Sequence, residues 1–180
     1  MNYIDRFGSP LGSITMASDG EALTGLWFDG QKYDRDNLKN TECCERELPI
    51  FAETKQWLTI YFGGEIPRFT PRLAPGGSEF RRLIAEIMLT IPYGSVMSYG
   101  RIASEAAGRL GKEKMSAQAV GGAVGHNSIS LIIPCHRVVG TDGSLTGYAG
   151  GIERKIRLLE LEGIDLTEAG LYVPKKGTAL

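Results

Sequence analysis

Ile132-Ile133-Pro134-Cys135-His136-Arg137-Val138-Val139-Gly140 runs from an apolar segment through one proline into a cysteine-histidine pair. A thiol at the end of a buried run has a rigid mount and a shielded pocket mouth. The adjacent imidazole helps to make it a thiolate, the nucleophilic form. The dipeptide alone leaves two readings open, because a free cysteine also serves as a small buried hydrophobe.

On the C-terminal side, Thr141-Asp142-Gly143 reads as a tight turn and Gly147 to Gly151 as a flexible loop around Tyr148. Ile152 to Glu162 has the period of a helix, with Ile152, Ile156 and Leu159 on one face and Glu153, Arg154, Lys155 and Arg157 outside. The tail beyond Gly163, which ends in Lys175 to Leu180, is expected to fray. On the N-terminal side, Ser78 is placed to cap a helix with Phe80, Leu83, Ile84, Ile87 and Met88 on one face, ended by Pro92. Ser98 caps a second helix from Tyr99 to Ala107, which Gly108 closes. A third helix, from about Ser116 to Gly125, is rich in small residues: Ala117, Ala119, Gly121, Gly122 and Ala123. Such residues serve either tight helix packing or close approach to an outside surface, and the sequence leaves both open. Two short helices joined by a loop resemble a helix-turn-helix, although Gly108 to Met115 is longer than that motif's usual turn.

Residues 1–30 read as a β-meander of three short strands, Asn2 to Phe7, Gly12 to Ala17 and Ala22 to Phe28, with Trp27 in the core. Residues 31–48 read as a charged surface connection with room for a weak helix or strand, and Pro49 to Phe62 as an amphipathic helix stopped by Gly63-Gly64. Pro67, Pro71 and Pro75 mark an irregular linker. The boundary is therefore set near residue 75, giving domains 1–75 and 76–180.

The 180 residues carry a net charge of −1, divided as −3 over residues 1–75 and +2 over the remainder. The positive half suits a phosphate backbone without demonstrating one. No apolar run approaches a membrane span and no secretory pattern opens the chain, so the expected location is cytoplasmic. Cys43 and Cys44 are adjacent, which makes a poor bridge, and reduced thiols are the simpler reading. His126 and His136 are the only histidines, so no metal site is expected.

Pro134-Cys135-His136-Arg137-Val138 resembles the active-site signature of the O6-alkylguanine-DNA alkyltransferases, the methylated-DNA–protein-cysteine methyltransferases. Asn127, the Gly147 to Gly151 loop and the helix end Leu158 to Gly163 stand in the family's order. The similarity runs from about Ser95 to about Gly163, with a looser fit before. The resemblance implies an α/β protein with two parts. The first is a ribonuclease-H-like antiparallel sheet plus helix, and the second a helical winged-helix-like domain with a helix-turn-helix. It implies a monomer that needs no cofactor, binds no membrane, and acts on double-stranded DNA carrying O6-alkylguanine. The alkyl group of O6-methylguanine, and by extension of O4-methylthymine, would pass irreversibly to Cys135 after the base is flipped out.

The same resemblance suggests individual roles. His136 deprotonates Cys135 through a water, Glu162 holds His136, and Asn127 ties the two helix-turn segments together. Tyr99 faces the phosphate and the extruded base. Gln118 stands where the family has an arginine that fills the vacated stack, the main departure in this chain. Ser98, Gly100, Ala117, Gly121, Gly122 and Thr141 fall at DNA-facing positions, and Ser130, Val138, Tyr148 and Lys155 at pocket positions. A damage sensor that only binds alkylated guanine would lack the cysteine, so Cys135 with His136 and Glu162 counts against it. A cysteine hydrolase would draw its histidine from a distant part of the fold, unlike this adjacent pair.

Overall fold

The computed structural model describes residues 2–39 and 41–175, so 176–180 lie outside the described residues, whereas 164–172, expected to fray, are ordered: Leu171 is buried and Tyr172 pairs with Gly143 and Leu145. The chain forms two compact units, Met1–Gly77 with Ser128–Ile132, and Ser78–Asn127 with Ile133–Leu180.

In the first unit, β1 (Asn2–Ser9), β2 (Gly12–Ser18) and β3 (Leu23–Phe28) form the expected antiparallel meander. Asp19 shapes the second turn by accepting from the amides of Glu21 and Ala22. Alternation is only partial in the sequence because β2 is buried on both faces. Ile14 through Ala17 are all buried, and Ala17 packs with Trp27 and Leu38. The connection 31–48 holds both a short helical turn and a short strand. Asp36–Leu38 is a single 3-10 turn, and β4 (Cys43–Glu45) pairs parallel to β1, so the sheet is mixed, in the order β3-β2-β1-β4. Three exposed residues carry no burial pattern that could reveal a strand from sequence. Helix α1 (Pro49–Phe62) starts with proline in its first turn, where no amide partner is lost, and buries Phe51, Thr54, Leu58 and Tyr61. The outer edge of β3 takes two irregular segments. Leu23 exchanges backbone bonds with Arg72 and Ala74, and Leu26 with Ser128 and Ser130.

In the second unit, α2 (Glu79–Leu89), α3 (Tyr99–Arg109) and α4 (Ala117–Gly125) pack through Ile84, Ile87, Ile102, Ala106, Val120 and Val124. Ser78, Ser98 and Ser116 each cap a helix by accepting an amide in its first turn. The second of these helices runs past Gly108, which does not end it. It reaches Arg109, and the left-handed residue beyond it is Gly111, at φ 63°. Two short parallel strands, β5 (Met97–Ser98) and β6 (Val138–Val139), stitch the end of the cysteine signature to the start of α3. Helix α5 (Ile152–Leu161) closes the unit, burying Leu158, Leu159 and also Lys155, which the helical period places outside but whose ammonium finds two backbone carbonyls within the unit. Among the described residues no helix is long and apolar enough to cross a membrane.

Candidate active site

Cys135, His136 and Arg137 form one 3-10 turn, and all three side chains are buried. The turn lies between Pro134 and β6, so the cysteine is fixed from both sides. Asn127 is the last residue before the chain leaves this unit, and Ile133 is the first on its return. The Asn127 amide Nδ2 donates to Ile133 O at 2.8 Å, which clamps those two points. It also lies 3.2 Å from Cys135 Sγ. The architectural tie expected from sequence is thus also a donor to sulfur. Burial pushes the Cys135 thiol up, and the Asn127 bond and the Lys155 charge oppose that rise.

Adjacent to the thiol, His136 Nε2 lies 2.6 Å from Glu162 Oε1. Burial lowers the imidazole's affinity for a proton, and Arg137 and Lys155 oppose the charge further, so the ring is neutral at pH 7 even though Glu162 pulls the other way. A neutral ring that donates from Nε2 to the carboxylate carries its lone pair on Nδ1. Burial tends to raise the Glu162 carboxyl, but bonds from His136 and Arg137 overcome this and bring it down to about 2.

Arg137 was legible in the signature but its role was not. Its guanidinium grips the Glu162 carboxylate at 2.9 and 3.1 Å and donates to Ile91 O at 2.6 Å. The Gly94 amide gives Glu162 Oε2 a further bond at 3.1 Å, and Tyr93 lies under the guanidinium, 5.8 Å from ring centroid to Cζ. No signal in the sequence announced it, because the bond joins positions 25 apart and a signature arginine reads the same whether buried or exposed.

Lys155 lies fully buried on α5. Its ammonium donates to Val138 O at 2.5 Å and Thr146 O at 3.0 Å. Burial lowers its pKa to about 8, with Cys135 acting the other way. The Tyr99 hydroxyl donates to the same Thr146 carbonyl at 3.4 Å. Burial, aided by the Cys135 charge, pushes that phenol up to about 12. The Tyr148 hydroxyl is buried, and burial together with the Cys135 charge holds it protonated. Gly150 follows Tyr148 closely: a Cβ there would fall 2.5 Å from the Tyr148 ring.

These bonds bring Cys135, His136, Glu162, Asn127, Tyr99, Val138 and Lys155 into one cluster, and Tyr148 lies close enough for the Cys135 charge to act on its hydroxyl. Ser98 is the cap of α3, and a Cβ on Gly100 would sit 3.0 Å from Thr141 Oγ1, so those three occupy one corner of the same unit. Ala117, Gln118 and Gly122 are exposed on α4, and Gly121 is half-buried. A Cβ at Gly121 or Gly122 would meet nothing within 4 Å, so tight packing within the unit does not account for these glycines. Ser130 lies in the first unit, buried, where its hydroxyl donates to Gln31 Oε1 at 3.5 Å. Among the described residues no group of three or more His, Cys, Asp or Glu is placed to hold a metal ion.

Residues 79–164 match the family model for the 6-O-methylguanine DNA methyltransferase, DNA binding domain, and residues 3–75 that for its ribonuclease-like domain. A methylated-DNA–protein-cysteine methyltransferase of Mycobacterium tuberculosis is 43% identical over 162 residues, covering 90% of this chain and 93% of its own. One of Haemophilus influenzae is 38% identical, covering 93% and 90% respectively. The crystal structure of Mycobacterium tuberculosis OGT in complex with DNA superposes with a TM-score of 0.77 at 39% identity, covering 89% of this chain and 92% of that one.

Proposed function

Because the chain belongs to the 6-O-methylguanine DNA methyltransferase family, we propose that it repairs alkylated DNA by moving the alkyl group of O6-methylguanine onto Cys135. The observation that carries this reading is the buried Asn127–Cys135 and His136–Glu162–Arg137 arrangement within one 3-10 turn's reach.

The chemistry follows from the bonds. Sulfur is raised by burial, so a thiolate forms only with help. His136 takes the thiol proton on Nδ1 through a bridging water, and Glu162, already ionised, stabilises the imidazolium that results. Asn127 donates to the sulfur while its charge develops. The Sγ–carbon bond forms as the carbon–O6 bond breaks, and the electron pair leaves with the guanine. Tyr99, a phenol that stays protonated, supplies the proton that the departing base needs. The product is a thioether, and no group in the cluster can reverse it, so each molecule acts once. Val138, Tyr148 and Lys155 form the pocket wall, with the Lys155 ammonium favouring the thiolate.

The target atom lies within a duplex, so the base is flipped out at a cost of a few kcal/mol. Helix α4 presents Ala117, Gln118, Gly121 and Gly122 to the minor groove, with Gln118 filling the gap in the stack. Ser98, Gly100 and Thr141 meet the flanking backbone. A nucleophile that must remain a free thiol suits the cytoplasm.

The decisive test mixes the protein with duplex DNA carrying a labelled methyl on one guanine O6. About one equivalent of label on the Cys135 peptide, with unmodified guanine left behind, is expected. Tight binding with no label on protein would instead leave a damage sensor. A second expectation concerns α4. Gly122→Ala should stabilise the fold by about 0.5–1 kcal/mol, because alanine is the better helix former and its methyl meets nothing. It should nevertheless weaken binding to duplex DNA. Thermal melts and a mobility-shift titration read the two effects, and unchanged affinity would remove Gly122 from the DNA surface.

A further inference from the structure

The family match ends at residue 164, and the chain continues into a segment that folds back on the loop after the cysteine signature. Residues 165–171 make a compact turn, closed by the amides of Ala169, Gly170 and Leu171 bonding to Asp165, Thr167 and Leu166. Leu171 is buried with Val139, Leu145 and Leu159. Tyr172 then pairs with the loop: Leu145 N donates to Tyr172 O at 2.8 Å, and Tyr172 N to Gly143 O at 3.2 Å. The Tyr172 hydroxyl donates to Asp142 Oδ2 at 2.6 Å. The approach is close enough that a Cβ on Gly143 would lie 2.2 Å from Gly170 O.

The loop held in this way leads directly into the candidate pocket. Leu145 precedes Thr146, whose carbonyl receives both the Tyr99 hydroxyl and the Lys155 ammonium. Two residues further on is Tyr148. Displacing the Thr146 carbonyl would release a phenol and an ammonium together.

We propose that the segment Asp165–Lys175 is a positioning element for alkyl transfer, with Leu171 and Tyr172 holding the Thr141–Thr146 turn so that Tyr99, Lys155 and Tyr148 keep their places around Cys135. This rests on the alkyl-transfer reading given above. The paired backbone and the buried Leu171 carry the bracing; the Tyr172–Asp142 bond is exposed and contributes little.

The test compares the full chain with a chain ending at Ile164, with Tyr172→Pro, which removes the amide that bonds Gly143 O, and with Tyr172→Phe, which removes only the hydroxyl. Labelled methyl transfer is followed under single-turnover conditions over a range of duplex concentrations. The shortened chain and Tyr172→Pro are expected to transfer about tenfold more slowly at saturating DNA, because small misplacements of positioned groups cost rate steeply. Their half-saturating DNA concentration and their final yield of one methyl per protein should be unchanged, and Tyr172→Phe should match the parent. An unchanged rate in both variants, or a loss appearing as reduced yield, would overturn the proposal. Alkylation of Cys135 by iodoacetamide, mapped by mass spectrometry, provides a readout that does not depend on DNA. A slower reaction in both folded variants is expected, because a released Lys155 no longer favours the thiolate, and equal rates would overturn the bracing. Failure of the parent chain to take up methyl at all would count against the alkyl-transfer reading alone.

Discussion

Replacing Cys135 by serine is expected to slow methyl transfer from O6-methylguanine by on the order of 10⁴-fold or more, the scale on which removing a nucleophile is felt. Serine matches cysteine closely in size, so the buried 3-10 turn and the Asn127 bond survive. Its hydroxyl is far harder to ionise than a thiol, and oxygen is the less polarisable nucleophile. Even with His136 and Glu162 intact, an imidazole whose proton affinity is lowered by burial is a poor base for a hydroxyl, which gives up its proton far less readily than a thiol. Binding to duplex DNA should be retained, since the DNA-facing residues of α4 are untouched. Single-turnover label transfer and a mobility shift measure both. Transfer at the parent rate, with label on Cys43 or Cys44, the other two thiols and both exposed, would move the nucleophile elsewhere.

Glu162→Gln is expected to damage both stability and chemistry. The Glu162 side chain is fully buried, and its carboxylate serves two buried partners, His136 and Arg137. Removing its charge strands a buried guanidinium, a change that typically costs about 3–5 kcal/mol. It also leaves His136 without the group that stabilises its imidazolium, so methyl transfer should fall even at temperatures where the variant is folded. Arg137→Gln combined with Glu162→Gln should recover part of the stability but none of the rate, because the two charges disappear together. Denaturant melts of the single and double variants, with transfer rates alongside, measure this, and strict additivity would mean that the pair is not coupled.

The same carboxylate gives the parent protein a pH signature. Its folded pKa of about 2 lies below the ordinary 4.5, so its contribution to stability is complete above 4.5 and disappears as the pH falls toward 2. That difference corresponds to roughly 3 kcal/mol. Glu162→Gln should therefore flatten the acid limb of the stability curve between those pH values.

Much of this was legible along the chain because it is local. Helix caps at Ser78, Ser98 and Ser116 announce themselves by residue type, since an orphaned amide lies two or three positions away. The meander, α1 and α5 follow from hydrophobic period and turn residues. The cysteine signature is a run of five residues, and its family resemblance extends through Glu162.

What remained required contacts between residues far apart in sequence. Small residues on α4 fitted two readings until the space around Gly121 and Gly122 proved empty. Strand β4 is three exposed residues, held in place only by its pairing with β1. Arg137 is printed in the signature, yet its grip on Glu162 spans 25 positions, and no local pattern distinguishes a buried guanidinium from an exposed one. Ser130 reads as a pocket position through the family resemblance, and only the fold shows that its segment pairs with Leu26 in the first unit. The bond of Tyr172 to the turn after the signature is equally silent in sequence. Nucleophile, caps and period are properties of residue type and spacing, so the chain alone determines them. The charge on Glu162, the neutrality of His136 and the rise of the thiol depend on burial and on partners supplied by the fold, so only the tertiary structure decides them.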